Sequence, residues 1–346
     1  MFRSALLLCL LALLVPRTEA QPPAGYYDRA EGLSGEPLRQ ALHGIISGHT
    51  PMDFNTLWTW FKTSDRRPDG KVWDMYSDIP DGTPPYLFTF GTDQCGTYTH
   101  EGACYNREHS FPKNWFGGDV PPMNTDLFHI YPTDGYVNNQ RGDLPFGKVG
   151  SPDYTSQNGS KIGRNITSGY GGTVFEPIDA YKGDFARSYL YMLTRYWGQT
   201  GNWNSPMLSS GDFTAWAASL LLTWHMQDPV SQKETDRNNY VYSLQHNRNP
   251  YIDHPEWVQR IWGPTAGVDE ADLLPVRIQN DAAGLHIIGT NGTLAGEVRV
   301  LDTTGRLVAR SAVRGERTDV TLDVPGGLYV AEVVLPEGRR VQRFVR

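Results

Sequence analysis

The sequence predicts an α+β chain, a mainly helical domain with short strands followed by a small all-β sandwich. Three observations carry this. Apolar residues recur at helical spacing from Asp184 to Trp262. Short β-rich runs and a cysteine-flanked loop come before them. From Val276 onward, apolar and polar residues alternate with period two between Gly, Asn and Asp turns. A chain of 346 residues has room for one large domain and one small one. With 39% hydrophobic and 20% charged residues, disorder of the whole chain is excluded.

Residues 1–20 read as a secretory signal peptide. Arg3 supplies the positive start, residues 5–15 form an apolar run too short to span a bilayer, and Thr18-Glu19-Ala20 offers a cleavage site before Gln21. No later stretch approaches spanning length, so no transmembrane segment is expected in the mature chain. Cys9 leaves with the leader, and Cys95 and Cys104 remain. An oxidising destination predicts a disulfide between them; the other reading, a metal pair, lacks a further cysteine to complete it.

Leu38, Leu42, Ile45 and Ile46 share one face of a first helix. Phe54, Leu57, Trp58 and Phe61 line a second, behind a capping Asp53. Residues 72–76 and 86–90 are expected as strands about a Pro-Asp-Gly turn. Residues 117–172, rich in Gly, Pro, Asn and Asp, are expected as a long loop region. A helix follows from Asp184. The next, capped by Asp212, carries Phe213, Trp216, Ala217, Leu220, Leu221 and Trp224, and so apolar a helix is expected to be the central one. Asp228-Pro229 opens a third, toward Leu244. The domain closes with Trp257 to Trp262, and the composition changes at Gly263-Pro264. The expected divisions are 1–20, 21–271 and 272–346.

The formal charge is −7, and residues 21–275 hold 19 basic against 29 acidic side chains. Such a body weakens general attraction to phosphates. Lys113, Arg141, Lys148, Lys161 and Arg164 are candidates for a local basic groove, or a solvated surface.

The chemistry concentrates at residues 95–118, where the cysteine pair, a Glu-His pair and a Pro-Lys turn lie close together. Tyr105-Asn106-Arg107-Glu108-His109-Ser110-Phe111-Pro112-Lys113 resembles the active-site motif of the bacterial endonuclease I family. Three further stretches resemble it in order. They are residues 126–132 with 137–141, residues 175–177 leading into 182–187, and residues 247–255. The resemblance covers roughly residues 30–262. It implies a His-metal finger (ββα-metal) site with His109 as general base and Glu108 as metal ligand. It implies an asparagine as second ligand: Asn165, with Asn158 as competitor. Mg2+ or another divalent cation is the implied cofactor, and Arg107 or Arg141 the implied phosphate contact. Arg187 is expected to brace the domain through an ion pair, and His100, His129 and His254 to pack or cap.

The residue types suit the reaction. Phosphodiester hydrolysis needs a base for water and charge at phosphorus. A neutral imidazole supplies the first and an oxygen-liganded cation the second. Zincin, Walker-loop and nucleophile-elbow motifs are absent from the sequence.

The segment from Pro325 to Ala331, the turn at Pro336 and the basic ending Arg343-Phe344-Val345-Arg346 resemble the C-terminal sorting domain of the type IX secretion system. The rival is a carbohydrate- or surface-binding module of immunoglobulin type. The whole chain therefore reads as a secreted, monomeric, metal-dependent endonuclease. Its substrate is DNA, with RNA as a further one, and its partners include the export machinery. The alternative is a secreted, non-catalytic nucleic-acid- or surface-binding protein on a nuclease scaffold.

Overall fold

A computed structural model describes residues 22–263, 276–281, 284–289, 293–302, 305–336 and 338–346. The expected leader and the boundary between 271 and 272 lie outside them. The described residues fall into two compact units, one within 22–33 and Pro37–Val258 and one within Ser34–Glu36 and Gln259–Arg346.

Residues 22–263 run α1 (Gly35–Ile46), α2 (Leu57–Ser64), β1 (Tyr105–His109), β2 (Ile130–Asp134), α3 (Gly135–Arg141), β3 (Val149–Thr155), β4 (Lys161–Asn165), β5 (Thr173–Glu176) and α4 (Lys182–Arg195). A two-residue hairpin follows, β6 (Leu208–Ser209) and β7 (Asp212–Phe213). After it come α5 (Ala215–Gln227), α6 (Gln232–Gln245), α7 (Pro250–Asp253) and α8 (Glu256–Trp262). β1 and β2 pair antiparallel, Glu108 opposite Tyr131 and His109 opposite Ile130. β3, β4 and β5 form a second antiparallel sheet. A Cβ at Gly163 would stand 2.4 Å from the Ser151 carbonyl, so only glycine lets β3 and β4 approach there.

The central helix is α4, not α5. All fourteen residues of α4 are buried, whereas α5 leaves Ser219, Thr223 and Met226 to solvent. Apolarity alone misleads here because the polar residues of α4 each meet a buried partner. Asp184 accepts from Lys233 at 2.7 Å, and Arg187 pairs with Glu234 at 2.5 and 2.8 Å. Ser188 bonds Tyr131 and Arg195 donates to His49. Satisfied in this way, polar groups can sit inside. The expected brace at Arg187 is thus present.

Three other expectations are corrected. Residues 72–76 and 86–90 are not strands. The Asp74 carboxylate accepts from Tyr76 N–H, and Ser77 and Asp78 N–H fold back on the Asp74 carbonyl, which makes a turn. Residues 117–172 are not one loop, since they hold β2, α3, β3 and β4. The cap of α6 is Ser231, in a capping box with Glu234. Asp228 instead accepts from Gly183 N–H in the first turn of α4, at 2.7 Å.

The second unit holds β8 (Val276–Asp281), β9 (Gly284–Gly289), β10 (Leu294–Asp302), β11 (Leu307–Gly315), β12 (Arg317–Val320), β13 (Leu328–Leu335) and β14 (Gly338–Val345). They form two antiparallel sheets, β11-β10-β13-β14 and β12-β9-β8. Alternate residues, among them Ile278, Ile287, Val298, Val300, Ala331 and Val333, share one core. The two-residue alternation predicted this sandwich-like region. Among the described residues no helix is long and apolar enough to cross a membrane.

Candidate active site

The end of β1, the face of α3 and the turn after Pro112 enclose a cavity of about 240 Å3, lined by Asn106, Arg107, Glu108, His109, Lys113 and Asn138, with others. α3 owes its position to its cap. Asp134 Oδ1 accepts from Val137 N–H and Oδ2 from Gly102 N–H, at 2.8 and 2.7 Å. Gly102 belongs to the loop closed by the Cys95–Cys104 disulfide. Residues 138 and 141 are three apart on α3 and so face β1 together.

Glu108 is 2% exposed. Its Oε1 accepts from Tyr76 Oη at 2.8 Å and from Arg141 Nη1 at 2.5 Å. Its Oε2 has no hydrogen-bond partner among the described residues. Arg141, 1% exposed, also donates to the carbonyls of His109 and Ser110 and to Tyr189 Oη. The buried Glu108 carboxylate raises the Arg141 pKa, so this guanidinium stays charged in spite of burial.

His109 stacks on Phe54, with ring centroids 6.2 Å apart, and its Nε2 lies 3.1 Å from the Asn124 carbonyl. A carbonyl only accepts, so Nε2 carries the proton and Nδ1 keeps its lone pair. Burial first, then the neighbouring His129, Lys113 and Arg107, push the His109 pKa down to about 3, against the opposing pull of the Asn124 bond. The ring is therefore neutral at physiological pH. Arg107 lies over the Phe54 ring, 3.7 Å from its centroid, and donates from Nη1 to the Phe54 carbonyl at 3.0 Å. Burial lowers its pKa, and Nη2 has no partner among the described residues.

Among the described residues no three His, Cys, Asp or Glu side chains converge on a metal-sized point. The cavity offers a different donor set. One carboxylate oxygen (Glu108) is free, and one carboxamide (Asn138) donates to the Arg107 carbonyl at 3.3 Å and keeps its oxygen unengaged. Two hard oxygens with room for water fit a magnesium-like cation, which keeps several waters and needs few protein ligands.

A family model described as Endonuclease I matches residues 34–256. This chain belongs to the Endonuclease I family. It is 35% identical over 268 residues to an extracellular ribonuclease of Bacillus amyloliquefaciens, covering 72% of this chain and 81% of that protein. It is 35% identical over 266 residues to an extracellular ribonuclease of Bacillus subtilis (strain 168), covering 73% and 83%. A structure of PorZ, a surface component of the type IX secretion system of Porphyromonas gingivalis, overlaps 23% of this chain and 12% of its own. That overlap is at 21% identity with a TM-score of 0.19, too slight to bear on the fold.

Within this Endonuclease I chain, Glu108, His109 and Arg107 line one cavity. Asn165 does not line it. Its Oδ1 accepts from Lys148 and Thr167 N–H, and its Nδ2 donates to the Thr167 and Tyr170 carbonyls, so it organises the loop after β4. Asn158 is likewise engaged, with Ser156, Ser160, Met75 and Asp78. Arg141 is walled off from solvent, its Nη donors held by Glu108, Tyr189 and the His109 and Ser110 carbonyls. Asn138, Tyr76 and Phe54 were missed. Asn138 lies in the run 137–141, and its spacing of three from Arg141 is the signal the sequence carries.

Proposed function

We propose that this Endonuclease I chain is a secreted, divalent-cation-dependent nuclease that hydrolyses phosphodiester bonds of RNA and DNA with little sequence preference, on a His-metal finger formed by β1, β2 and α3. One observation carries the reading: Glu108 with a free carboxylate oxygen, Asn138 with a free carboxamide oxygen and His109 with a neutral imidazole whose Nδ1 meets no hydrogen-bond partner among the described residues all line the same cavity. Glu108 and Asn138 are the residues that would hold the cation. When bound, it supplies positive charge for the phosphate and the leaving oxygen.

The chain's own residues do the rest. His109 Nδ1 takes the proton from the attacking water. The Asn124 carbonyl fixes the tautomer and favours the imidazolium as it forms. Arg107 Nη2 is positioned to donate to a phosphate oxygen. Arg141 and Tyr76 hold Glu108 Oε1, so that Oε2 points one way. The names of the two Bacillus relatives support RNA as a substrate and an extracellular destination. The residue 1–20 pattern supports export. The C-terminal unit is read as a type IX sorting module, supported by its two small sheets and its basic end.

The test is direct. Purified protein is incubated with plasmid and with single-stranded RNA, in Mg2+ and in chelator. Cleavage in Mg2+ alone is expected, and His109→Ala should lose roughly 10²- to 10⁴-fold in rate. Intact nucleic acid in Mg2+ from well-folded protein would sink the proposal.

A further inference from the structure

A second cavity, of about 600 Å3, lies between the loop after β4 and the start of α5, walled by Ser168, Gly169, Tyr170, Trp216 and Ser219. It is larger than the cavity at Glu108 and falls within the roughly 300–1,000 Å3 of small-ligand clefts. Its main wall is built. The Tyr170 and Trp216 rings stack with centroids 4.9 Å apart and an interplanar angle of 10°. Gly169 has φ +99°, and a Cβ there would stand 2.8 Å from Trp216 Cβ; a Cβ at Gly172 would strike the Tyr170 ring. Two glycines thus seat the tyrosine against the loop. The indole N–H is used by the Pro206 carbonyl at 3.2 Å and Trp216 is 7% exposed, so the half-buried Tyr170 ring is the stacking surface that remains.

The surroundings indicate what stacks there. Lys148 N–H bonds Asn165 Oδ1, the Lys148 carbonyl accepts from Ile166 N–H, and Asn165 Nδ2 holds the Tyr170 carbonyl at 2.7 Å. Lys148, Arg164 and Ile166 lie on one exposed sheet face, since Val149 pairs with Asn165 and faces alternate. Arg164 reaches along the loop, its Nη2 3.7 Å from a Cβ position on Gly171. Between Asp143, which lines the cavity at Glu108, and Lys148 the chain spans at most roughly 18 Å. An aromatic face with cations on the neighbouring sheet face is what a single nucleic acid strand requires.

We infer that the Tyr170–Trp216 cavity is a base-stacking subsite for the single strand being cut, a few nucleotides from the scissile bond. The inference rests on the nuclease reading. The stack holds one base, Lys148 and Arg164 take the neighbouring phosphates, and the strand is thereby registered over His109. Stacking tolerates every base, so the subsite favours unpaired strands without reading sequence.

The test separates binding from cutting. Wild-type protein in chelator is titrated into a fluorescently labelled, phosphorothioate 12-nucleotide single strand, and anisotropy is read. Tyr170→Ala is expected to weaken binding roughly five- to tenfold, whereas Tyr170→Phe matches the wild type. Walking one abasic residue along the strand should abolish the Tyr170 dependence at one position. Tyr170→Leu, which keeps apolar bulk, should weaken binding as the alanine variant does and guards against a folding defect. Equal affinity of wild type and both non-aromatic variants, at equal melting temperature, overturns the inference. So does an abasic walk with no preferred position. Failure of the wild type to cut in Mg2+ is a separate result: it removes the catalytic reading and leaves the titration to decide the subsite.

Discussion

Arg141 places two of its donors on the backbone of His109 and Ser110 and a third on the carboxylate of Glu108. One cation thus sets both the direction of the Glu108 carboxylate and the path of the strand beneath His109. Arg141→Met should lower stability by about 3–5 kcal/mol, because Glu108 stays buried without its counter-charge. It should also raise the Mg2+ concentration needed for half-maximal cleavage. Thermal melts and a Mg2+ titration check this, and a lower melting point with an unmoved titration midpoint would reduce Arg141 to scaffolding. Asp74 presents a second residue-scale case. Its carboxyl is buried, and burial, then the Asp134 charge, lift its pKa to about 8 against the pull of its hydrogen bonds, Tyr76 N–H among them. The folded chain keeps this proton where the unfolded chain has released it, so folding takes up a proton between about pH 4 and pH 8. Stability from this group therefore falls as pH rises through the window, by about 1.4 kcal/mol per unit at most. Asp74→Asn, which mimics the protonated form, should gain on the wild type steadily from pH 5 to pH 8 in denaturant titrations; parallel curves would show that Asp74 titrates normally. At this scale the sequence made Glu108 and His109 legible because they adjoin in one motif. Asn138 and Asn165 were not separable, because both are asparagines in polar runs. Only the hydrogen bonds show that one carboxamide is engaged in its own loop and the other is open to the cavity.

Among the elements, α3 is short, seven residues, and too small to be stable alone. Its place is fixed from outside, by the Asp134 cap and through Gly102 by the disulfide loop. Cys95 and Cys104 lie nine residues apart with Cα atoms at 5.9 Å. Replacing both by serine should cost about 2–3 kcal/mol by freeing the unfolded chain. Because the loop holds the cap of α3, the same variant should also need more Mg2+ for half-maximal cleavage, read by melts and titration as above. A stability loss with no change in cation requirement would mean that Asp134 holds α3 without help from the loop. Periodicity made the helices legible, and two-residue alternation the C-terminal strands. The reading failed where polar residues are buried in pairs. α4 scored as less apolar than α5 because Asp184, Arg187 and Arg195 stand in it, and their partners Lys233, Glu234 and His49 come from other parts of the chain. A pattern read along one segment cannot register a partner from another.

For the whole molecule the governing quantity is charge. The 29 acidic and 19 basic residues of 21–275 oppose the approach of a polyanion. What attraction there is must come from a few local cations. Lys113 is partly neutralised by Asp119 at 2.6 Å, and the strand path inferred above uses Arg107, Lys148 and Arg164. With about three to four phosphates neutralised on a single strand, log K should fall with log salt at a slope of roughly −2 to −3. A basic nuclease making six to ten contacts would fall far more steeply. Anisotropy titrations of a non-cleavable strand between 50 and 300 mM salt, in chelator, measure the slope. Lys148→Ala and Arg164→Ala should each flatten it by somewhat less than one. A slope beyond about −5 would require a phosphate-binding surface that these three residues do not provide. An unchanged slope in both variants would place the strand on another path across the molecule.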